Sequence, residues 1–359
     1  MTVGFHSPLP PARTGVADYA ASLLRALGRR GRVETGAARA DVHLYHIGNN
    51  PVHAAIYAQA LDRPGVVVLH DALVQHLLLS TLDERRYVEE FVYNYGAWSA
   101  ELARDLWRSR SGSGLREEYY QYPLLKRLIE RSRAVVVHNA AAARIARGHA
   151  PGTRVVEIPH LLEIPPRSTG AEAIRFRQRI GIAPGAFVFG LFGYLRESKR
   201  VATVLRAAER VPQATLLLAG EFASLDLPRA IAPRLDGVVR LGHMNDETFW
   251  LAGSAVDACV NLRYPRAGET SGITIRLMGL GKPVIVTAGE EVDAFPEDAC
   301  LRVDAGVAEE EMLAGYMLWL SNSADAAREI GRRAAGYVTG VHSLERVAAL
   351  YWETLCACR

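Results

Sequence analysis

Short apolar runs alternate with amphipathic stretches along almost the whole chain. The runs have the length of β-strands, and the stretches place apolar residues at the spacing of helices that bury one face. This alternation is typical of parallel sheets covered by helices. In the first half it predicts strands at residues 3–6, 42–47, 66–70, 134–138 and 155–158. In the second half it predicts strands at residues 187–192, 215–219, 238–241, 256–262, 283–287 and 300–303.

A proline-rich segment separates the two series of strands. Residues 159–170 contain three prolines and a Ser-Thr-Gly sequence, which is typical of a linker between domains. A chain of 359 residues is also too long for one ordinary core. We therefore predict two α/β domains, each with a doubly wound parallel sheet, at residues 1–163 and 174–337. The C-terminal helix at residues 342–359 is expected to complete the first domain.

Composition and charge exclude several classes of protein. The 42 basic and 39 acidic residues leave a net charge of +3, and the basic residues form no tail or stripe, so a dedicated nucleic-acid-binding protein is not expected. No apolar run approaches the roughly 20 residues of a membrane span, and no secretory signal opens the chain. The four cysteines lack C-x-x-C spacing, which argues against a zinc site or disulfides. We expect a cytoplasmic protein.

Three common signatures of nucleotide and ester chemistry are missing from the sequence. The segments after residue 5 and after residue 192 do not contain the G-x-G-x-x-G of dinucleotide-binding folds. Gly281-Lys282 is followed by proline and has Arg276 where a P-loop needs its first glycine. No G-x-S-x-G nucleophile elbow occurs. Dehydrogenase, P-loop hydrolase and serine hydrolase activities are therefore not expected.

Two loops in the second half have the chemistry of an anion site. The strand at 187–192 continues into G-Y-L-R-E-S-K, from Gly193 to Lys199. A turn between strand and helix presents backbone N–H groups to an anion, and Arg196 and Lys199 add cationic donors that suit a diphosphate. These residues alone also fit a plain glycine turn with solvated charges. The strand at 256–262 continues into R-Y-P-R-A-G-E-T-S-G, which ends at Gly272 and supplies a helix N-cap.

The two loops resemble the donor domain of the retaining glycosyltransferases of family four, which have the GT-B fold. That fold has two Rossmann-like domains that face each other across a cleft. The family shows G-R-L-x-x-x-K after a strand, and then E-G-F-G-x-x-x-x-E-A-M-A-x-G-x-P. The residues that match these motifs in register are Gly193, Leu195, Lys199, Met278, Gly281 and Pro283. Gly272 stands one place after the second glycine of E-G-F-G.

The arginine and the two glutamates of the family motifs are not conserved in this sequence. Tyr194 replaces the arginine of the first motif. The first glutamate of the second motif falls on Gly268, with Glu269 one place later, and the second glutamate falls on Arg276. In the family the second glutamate holds the ribose hydroxyls, and arginine cannot accept hydrogen bonds. Arg276 is expected to pair with phosphate or with Glu269 instead.

The first half carries motifs of the bacterial polysaccharide-type members of the same family. The sequence S-P-L-P-P-A-R-T-G-V-A-D-Y, which ends at Tyr19, resembles their S-P-L-P-P-x-x-S-G-I-A-D-Y opening. Its glycine, Gly15, lets the backbone approach the donor diphosphate at the start of a helix. The segments around Asn49 and around His70-Asp71 also resemble this subgroup. The resemblance places His70 beside the donor sugar and the leaving phosphate.

The resemblance implies a role for each matching residue. The catalytic residues are His70 and Glu269, with Glu269 orienting sugar hydroxyls. The residues expected to bind the donor and its phosphates are Thr14, Gly15, Gly193, Tyr194, Arg196, Lys199, Thr270, Ser271, Gly272 and Arg276. The residues expected to contact acceptor or sugar are Asp18, Asn49 and Asp71.

The implied activity is transfer of a sugar, with retention, from a nucleotide-diphosphate-sugar such as a UDP- or GDP-sugar. The acceptor is a glycan, a lipid-linked molecule or a small molecule, which suits polysaccharide biosynthesis. No metal and no cofactor are expected, because cationic side chains and helix ends stabilise the leaving diphosphate. Two alternatives stay open. One is a non-catalytic nucleotide- or glycan-binding relative; the other is a sugar-nucleotide epimerase of the same fold, which needs carboxylate acid–base pairs that the sequence does not reveal.

Residues 83–133 are helical in composition and rich in tyrosine, tryptophan and arginine. This stretch fits an acceptor-binding element or an element that touches the membrane surface, and it fits a helical cover over the first sheet equally well. A peripheral membrane protein would co-sediment with anionic vesicles, and salt would weaken that binding.

Overall fold

The computed structural model describes residues 1–164 and 170–359. Residues 165–169 of the predicted linker lie outside the described residues. The chain forms two compact units. The first comprises Met1–Leu161, Pro265–Thr270 and His342–Arg359, and the second comprises Leu162–Tyr264 and Ser271–Val341.

The first unit is built on a parallel sheet whose central strands β3, β4 and β5 are buried at every position. Its strands in the described residues are β1 (Thr2–His6), β2 (Arg32–Thr35), β3 (Val42–Ile47), β4 (Val66–Leu69), β5 (Ala134–Val137) and β6 (Val155–Glu157), in the spatial order β2-β1-β3-β4-β5-β6. Its helices up to residue 161 are α1 (Gly15–Gly28), α2 (Ala54–Asp62), α3 (Gln75–Thr81), α4 (Glu84–Tyr95), α5 (Ala100–Arg108), α6 (Lys126–Glu130) and α7 (Ala140–His149). The strand order reverses between β1 and β3, so the loops after these strands flank the sheet's switch point, where ligands of such folds bind.

The second unit has a second parallel sheet covered by helices. Its strands in the described residues are β7 (Phe187–Phe192), β8 (Ala214–Ala219), β9 (Val239–Leu241), β10 (Ala258–Asn261), β11 (Val284–Thr287) and β12 (Leu301–Val303), in the order β9-β8-β7-β10-β11-β12. Its helices are α8 (Gly170–Arg179), α9 (Val201–Glu209), α10 (Asp226–Ile231), α11 (Asp246–Ala255), α12 (Gly272–Gly279), α13 (Glu309–Asn322) and α14 (Ala324–Val341). This order is that of Rossmann folds, and its switch point lies between β7 and β10.

Short 3₁₀ turns connect several of these elements. They lie at Pro51–His53, Ala97–Ser99, Ser113–Leu115, Glu117–Gln121, Glu197–Lys199, Ala232–Arg234 and Glu290–Val292.

The last helix, α15 (Leu344–Cys356), belongs to the first unit. Its Tyr351 is fully buried and shares a hydrogen bond with the Tyr19 hydroxyl of α1 at 2.9 Å. The Arg133 guanidinium also donates to the backbone oxygen of Cys358 at 2.8 Å. The C-terminal residues therefore contribute to the core of the first unit.

The division into units departs from the predicted domains at Pro265–Thr270. The predicted second domain, residues 174–337, includes these residues, yet they group with the first unit. The reason is hydrogen bonding to the ends of the first sheet: the Ala72 N–H donates to the Ala267 oxygen at 2.8 Å, and the Asn139 amide donates to the Gly268 oxygen at 3.0 Å. Glu269 and Thr270 are consequently residues of the first unit.

The aromatic stretch at residues 83–133 covers the first sheet. Tyr87, Phe91 and Tyr119 are fully buried in the same core as residues of β3, β4 and β5. The arginines of this stretch include several in ion pairs, for example Arg127 with Glu90 at 2.5 Å. Trp98 is 73% exposed. Among the described residues no helix has the length and apolar character to cross a bilayer; contact with a membrane surface stays a prediction.

Candidate functional site

The turn after β7 and the start of α12 meet at the switch point of the second sheet. Gly193, directly after β7, has a left-handed backbone with φ of 85°. A Cβ on this residue would lie 2.5 Å from Ile273 Cδ1 in the first turn of α12 and 2.9 Å from Lys199 Nζ. The Tyr264 N–H also donates to the Ser198 oxygen at 2.8 Å, which joins the loop after β10 to the loop after β7. Glycine suits position 193 because the left-handed backbone strains any other residue, and a Cβ there would require the ends of Ile273 and Lys199 to move.

Lys199 places a buried ammonium group at this point. The residue is 3% exposed, and its Nζ donates to the Phe192 oxygen at the carboxyl end of β7. Arg196 is exposed, and Tyr194 is 38% exposed. An ammonium group has three donors and can form a charge-assisted hydrogen bond with an anionic ligand.

The first turn of α12 is held rigidly beside Lys199. Ser271 is its N-cap and accepts the Thr274 N–H at 3.3 Å. The side-chain amide of Asn261, the last residue of β10, donates to Ser271 Oγ at 2.8 Å and to Thr274 Oγ1 at 2.7 Å. The N–H groups of Gly272 and Ile273 belong to the start of a helix, where backbone donors lack intrahelical partners. They can bind a phosphate oxygen.

Arg276 is held by residues of α11 in the second unit. Its guanidinium pairs with Asp246 and lies 3.9 Å from the ring centre of Phe249 and 4.4 Å from that of Trp250. The Trp250 indole N–H donates to the other oxygen of Asp246 at 3.0 Å. Arg276 was expected to pair with phosphate or with Glu269, and the ion pair with Asp246 was not anticipated. The stacked position suits arginine because its planar cation interacts favourably with aromatic faces.

The start of α1 lies at the switch point of the first sheet. Thr14 is the N-cap and accepts the Ala17 N–H at 3.1 Å. Gly15 is exposed, and a Cβ there would meet no atom within 4 Å. Asp18 is exposed in the first turn of the helix. The backbone at Gly15 is thus open to a ligand.

Asn49 and Asp71 fix the loops after β3 and β4. Asp71 Oδ2 accepts the Asn49 N–H at 2.7 Å, and Asn49 Oδ1 accepts the backbone N–H groups of His76 and Leu77 at 2.8 and 3.1 Å. Both side chains therefore hold backbone in place at the carboxyl ends of neighbouring strands. Their predicted contacts with acceptor or sugar stay predictions.

Glu269 and Thr270 lie at the ends of β4 and β5 in the first unit. Glu269 Oε2 accepts the Ala267 N–H at 2.9 Å, and Thr270 Oγ1 accepts from the Asn139 amide at 2.9 Å. Ala72, which binds the same segment, is two residues after His70. The segment that carries Glu269 is therefore hydrogen-bonded to a residue only two positions after His70, the other predicted catalytic residue.

His70 lies directly after β4 in a group of aromatic and histidine side chains. Its Nε2 is 2.9 Å from His46 Nδ1, and its ring centre is 4.9 Å from that of Tyr19 and 5.2 Å from that of His138. Burial lowers the pKa of His70 well below its usual range, and His138 and His46 lower it further. His70 is consequently neutral at pH 7 and can donate one hydrogen bond and accept another.

Comparison with solved structures finds similarity over the whole chain. Sucrose-phosphate synthase from Thermosynechococcus elongatus is 16% identical with a TM-score of 0.72, covering 99% of this chain and 100% of the other. HepE from Anabaena, in complex with UDP and glucose, is 15% identical with a TM-score of 0.68, covering 99% and 100%. WaaG, a glycosyltransferase involved in lipopolysaccharide biosynthesis, is 13% identical with a TM-score of 0.68, covering 98% and 99%.

The chain has the GT-B fold. Two parallel sheets with flanking helices, together with these structural similarities, confirm the predicted fold class. No protein-family model and no curated protein sequence matches the chain. At identities of 13%, 15% and 16%, these similarities show a shared fold. The activity must be argued from the residues of the site.

Several residues of these GT-B units were missed by the sequence reasoning. Asn139 and Asn261 each lie at the carboxyl end of a strand, as His70 does. Their positions in the sequence could therefore have identified them as candidate site residues. His46 lies inside the fully buried strand β3, and nothing in the sequence distinguishes it from a core residue. Among the described residues no group of His, Cys, Asp and Glu is arranged to hold a metal ion. Metal independence stays a prediction.

Because several histidines of the first unit are buried, we predict that acid lowers its free energy of unfolding. Burial lowers the pKa of His138 to about 4 and that of His6 to about 4, from 6.5. Below pH 6.5 the unfolded chain takes up protons that the folded chain does not, so stability is complete above pH 6.5 and falls as the pH drops towards 4. Each histidine contributes a slope of about 1.4 kcal/mol per pH unit.

Urea unfolding at pH 7, 6 and 5 measures this slope. The His138→Asn variant lacks one of the buried histidines and should show a correspondingly shallower dependence on pH. Equal slopes for the two proteins would contradict the assignment.

Proposed function

We propose that the protein is a retaining glycosyltransferase that uses a nucleotide-diphosphate-sugar. The observation that carries the proposal is the junction of the Gly193–Lys199 turn with the first turn of α12 at the switch point of the second sheet. A buried ammonium group and open helix amides occur together there. The GT-B fold adds support, since HepE was solved with UDP-glucose as well as with UDP and glucose.

The diphosphate is the part of the donor that this junction fits. Lys199 supplies a charge-assisted hydrogen bond, and the N–H groups of Gly272 and Ile273 supply two more. Arg196 and Tyr194 are exposed on the same turn, and Arg196 adds a cationic donor for the outer phosphate. In the first unit, the exposed amide of Gly15 at the start of α1 is a separate candidate for phosphate binding. UDP and GDP are the nucleotides we expect, and the stacked Arg276 takes the place of a carboxylate that would bind ribose.

The reaction exchanges one bond at the anomeric carbon for another on the same face. The bond from that carbon to the diphosphate oxygen breaks, and a bond from an acceptor hydroxyl oxygen forms. The acceptor proton passes to an oxygen of the leaving diphosphate, so the products are a glycoside and a nucleoside diphosphate. Cations and amides stabilise the charge that develops on the leaving group. His70 donates a hydrogen bond to the donor and Glu269 orients sugar hydroxyls, without a metal ion.

A thermal-shift screen of nucleoside diphosphates, followed by transfer assays, tests the proposal. A bound nucleotide at 100 times its Kd stabilises the folded protein by about 2.7 kcal/mol. The preferred nucleotide then selects the sugar donors, which are assayed with glycan, lipid-linked and small acceptors in excess EDTA. Nucleotide release that depends on an acceptor supports transfer. Binding without release would favour a non-catalytic relative, and conversion of the donor without an acceptor would favour an epimerase.

The Gly15→Ala variant isolates ligand binding from folding. The new methyl group meets no atom within 4 Å, and alanine suits the first residue of a helix better than glycine, so stability should be unchanged or slightly higher. Donor affinity should fall about tenfold because the methyl group blocks close approach of a phosphate to the backbone. The matched control is Gly28→Ala at the other end of α1, which also meets nothing within 4 Å and should bind normally. Equal affinities for both variants would remove Gly15 from the site.

A further inference from the structure

A hydrogen-bonded pair of histidines joins the ends of β3 and β4. His46 is the fifth residue of β3 and is fully buried, whereas His70 follows β4 and is only partly buried. His46 Nδ1 and His70 Nε2 lie 2.9 Å apart, and the two rings are inclined by 22°. The backbone supports the pair, because the His70 N–H donates to the Ile47 oxygen at 2.9 Å.

One proton lies between the two ring nitrogens. Which of the two nitrogens carries it determines the tautomer of both rings. If His46 donates from Nδ1, its Nε2 is bare, His70 accepts at Nε2, and His70 carries its proton on Nδ1. If His70 donates from Nε2, its Nδ1 is bare and His46 must carry a proton on its own Nε2. The two arrangements present opposite chemistry to a ligand: an N–H donor in the first case and an acceptor in the second.

The surroundings of His46 Nε2 distinguish between the two arrangements. His46 Nε2 is buried and has no hydrogen-bond partner among the described residues. A buried N–H without an acceptor costs about 1–3 kcal/mol and is rarer in proteins than a buried acceptor without a donor. His46 Nε2 is therefore the bare nitrogen, and His46 Nδ1 donates.

Two neighbouring histidines show the same pattern independently. His53 and His138 bind the backbone oxygens of His46 and Ile158 through Nδ1, both at 2.9 Å. A carbonyl oxygen can only accept, so each of these rings carries its proton on Nδ1 and leaves Nε2 bare and buried. The interior around His46 therefore accommodates unprotonated Nε2 atoms.

We propose that His46 is a positioning residue that holds His70 in the Nδ1–H tautomer, so that His70 presents a fixed N–H donor to the sugar donor. This inference deepens the proposed function and rests on it for the identity of the ligand. His70 then stabilises an oxygen of the donor and does not act as the base for the acceptor hydroxyl. That division of roles agrees with proton transfer from the acceptor to the leaving diphosphate.

The electrostatics of the cluster keep both rings neutral. Burial lowers the pKa of His46 and of His70 well below the usual range. The titratable groups that face the pair are His53, His138, His160 and Tyr19. A neutral pair keeps the single shared proton on which the tautomer depends.

The tautomer can be measured directly on the unaltered protein. In protein labelled with ¹⁵N-histidine, long-range proton–nitrogen correlations distinguish a protonated nitrogen from a bare one, and the His70→Ala variant assigns the His70 signals. We expect a protonated Nδ1 and a bare Nε2 for His70 at pH 7. A protonated Nε2 on His70 would overturn the proposal. This measurement needs neither a donor nor an active enzyme.

Two substitutions at His46 then test the consequence for activity. The amide nitrogen of His46→Asn can donate in place of Nδ1, whereas His46→Leu removes the donor. We expect His46→Leu to lose the Nδ1–H signature of His70. It should lower kcat by about 10–100-fold, by analogy with the loss of partners that orient metal-binding histidines. The KM for the donor should change little, and His46→Asn should restore most of kcat.

A control separates positioning from packing. His138→Asn also alters a buried histidine whose ring lies 5.2 Å from that of His70, but it leaves the bond to His70 Nε2 in place. It should retain the His70 tautomer. Retention of the tautomer in His46→Leu would refute the positioning role even if kcat fell. Conversely, the protein could show the expected tautomers and yet transfer no sugar. That result would refute the proposed function but not the assignment of the tautomers of His46 and His70.

Discussion

The Lys199→Ala variant loses at least about half of the stabilisation that a nucleoside diphosphate, at 100 times its Kd, gives to the unaltered protein. Lys199 is the buried cation at the switch point of the second sheet, beside the amides of α12. A hydrogen bond to a charged group contributes about 1.5–3 kcal/mol, so its loss weakens nucleotide binding by about 10–150-fold. The thermal shift at a fixed nucleotide concentration measures this loss directly.

Lys282 provides a matched control for this variant. It is another lysine of the second unit whose ammonium group donates to a backbone oxygen, that of Ser254, at 3.0 Å. Burial lowers the pKa of Lys282, so its removal also disturbs a partly buried cation of the second unit. Lys282→Ala should keep the nucleotide-induced shift even if its starting melting temperature falls. A shift in Lys199→Ala as large as in the unaltered protein, or an equal reduction in both variants, would count against the phosphate role of Lys199.

The His70→Ala variant should lose turnover and keep donor binding. The loss of one preorganised hydrogen-bond donor from an active site lowers kcat by about 100- to 1000-fold. Binding of the diphosphate is assigned to other residues, so the Kd for the nucleoside diphosphate should stay within about twofold. Initial rates at saturating donor, together with calorimetric titration of the nucleotide, separate the two effects.

His149 serves as the control for His70. It is a histidine of the first unit whose Nδ1 bonds to the Ile145 oxygen at 3.1 Å within α7, away from the strand ends. His149→Ala should keep kcat close to that of the unaltered protein. An equal loss of kcat in both variants would indicate general damage to the first unit, and full activity of His70→Ala would remove His70 from the mechanism.

The sheets were predictable because their strands are buried on both faces. The strand at 187–192 was predicted with its observed bounds, and Val66–Leu69 is buried at every position. The exception is β2, Arg32–Thr35, which was missed. It is an edge strand with two exposed residues, so it lacks the apolar run by which the others were found.

Only those residues of the candidate site that directly follow a strand were predictable from the sequence. Gly193 and Lys199 follow the end of a strand, and the strand order brings them against α12. The partners that shape the site are distant in sequence: Asn261 holds Ser271 and Thr274, and Asp246 holds Arg276. The grouping of Pro265–Thr270 with the first unit depends on bonds from Ala72 and Asn139, for which the sequence has no local signal.

A crystal structure with the preferred nucleoside diphosphate tests the central claim most directly. The claim is that one diphosphate binds at the carboxyl ends of β7 and β10. We expect its oxygens within about 2.7–3.2 Å of Lys199 Nζ and of the N–H groups of Gly272 and Ile273. A nucleotide bound elsewhere, with no phosphate oxygen near these three donors, would contradict the account.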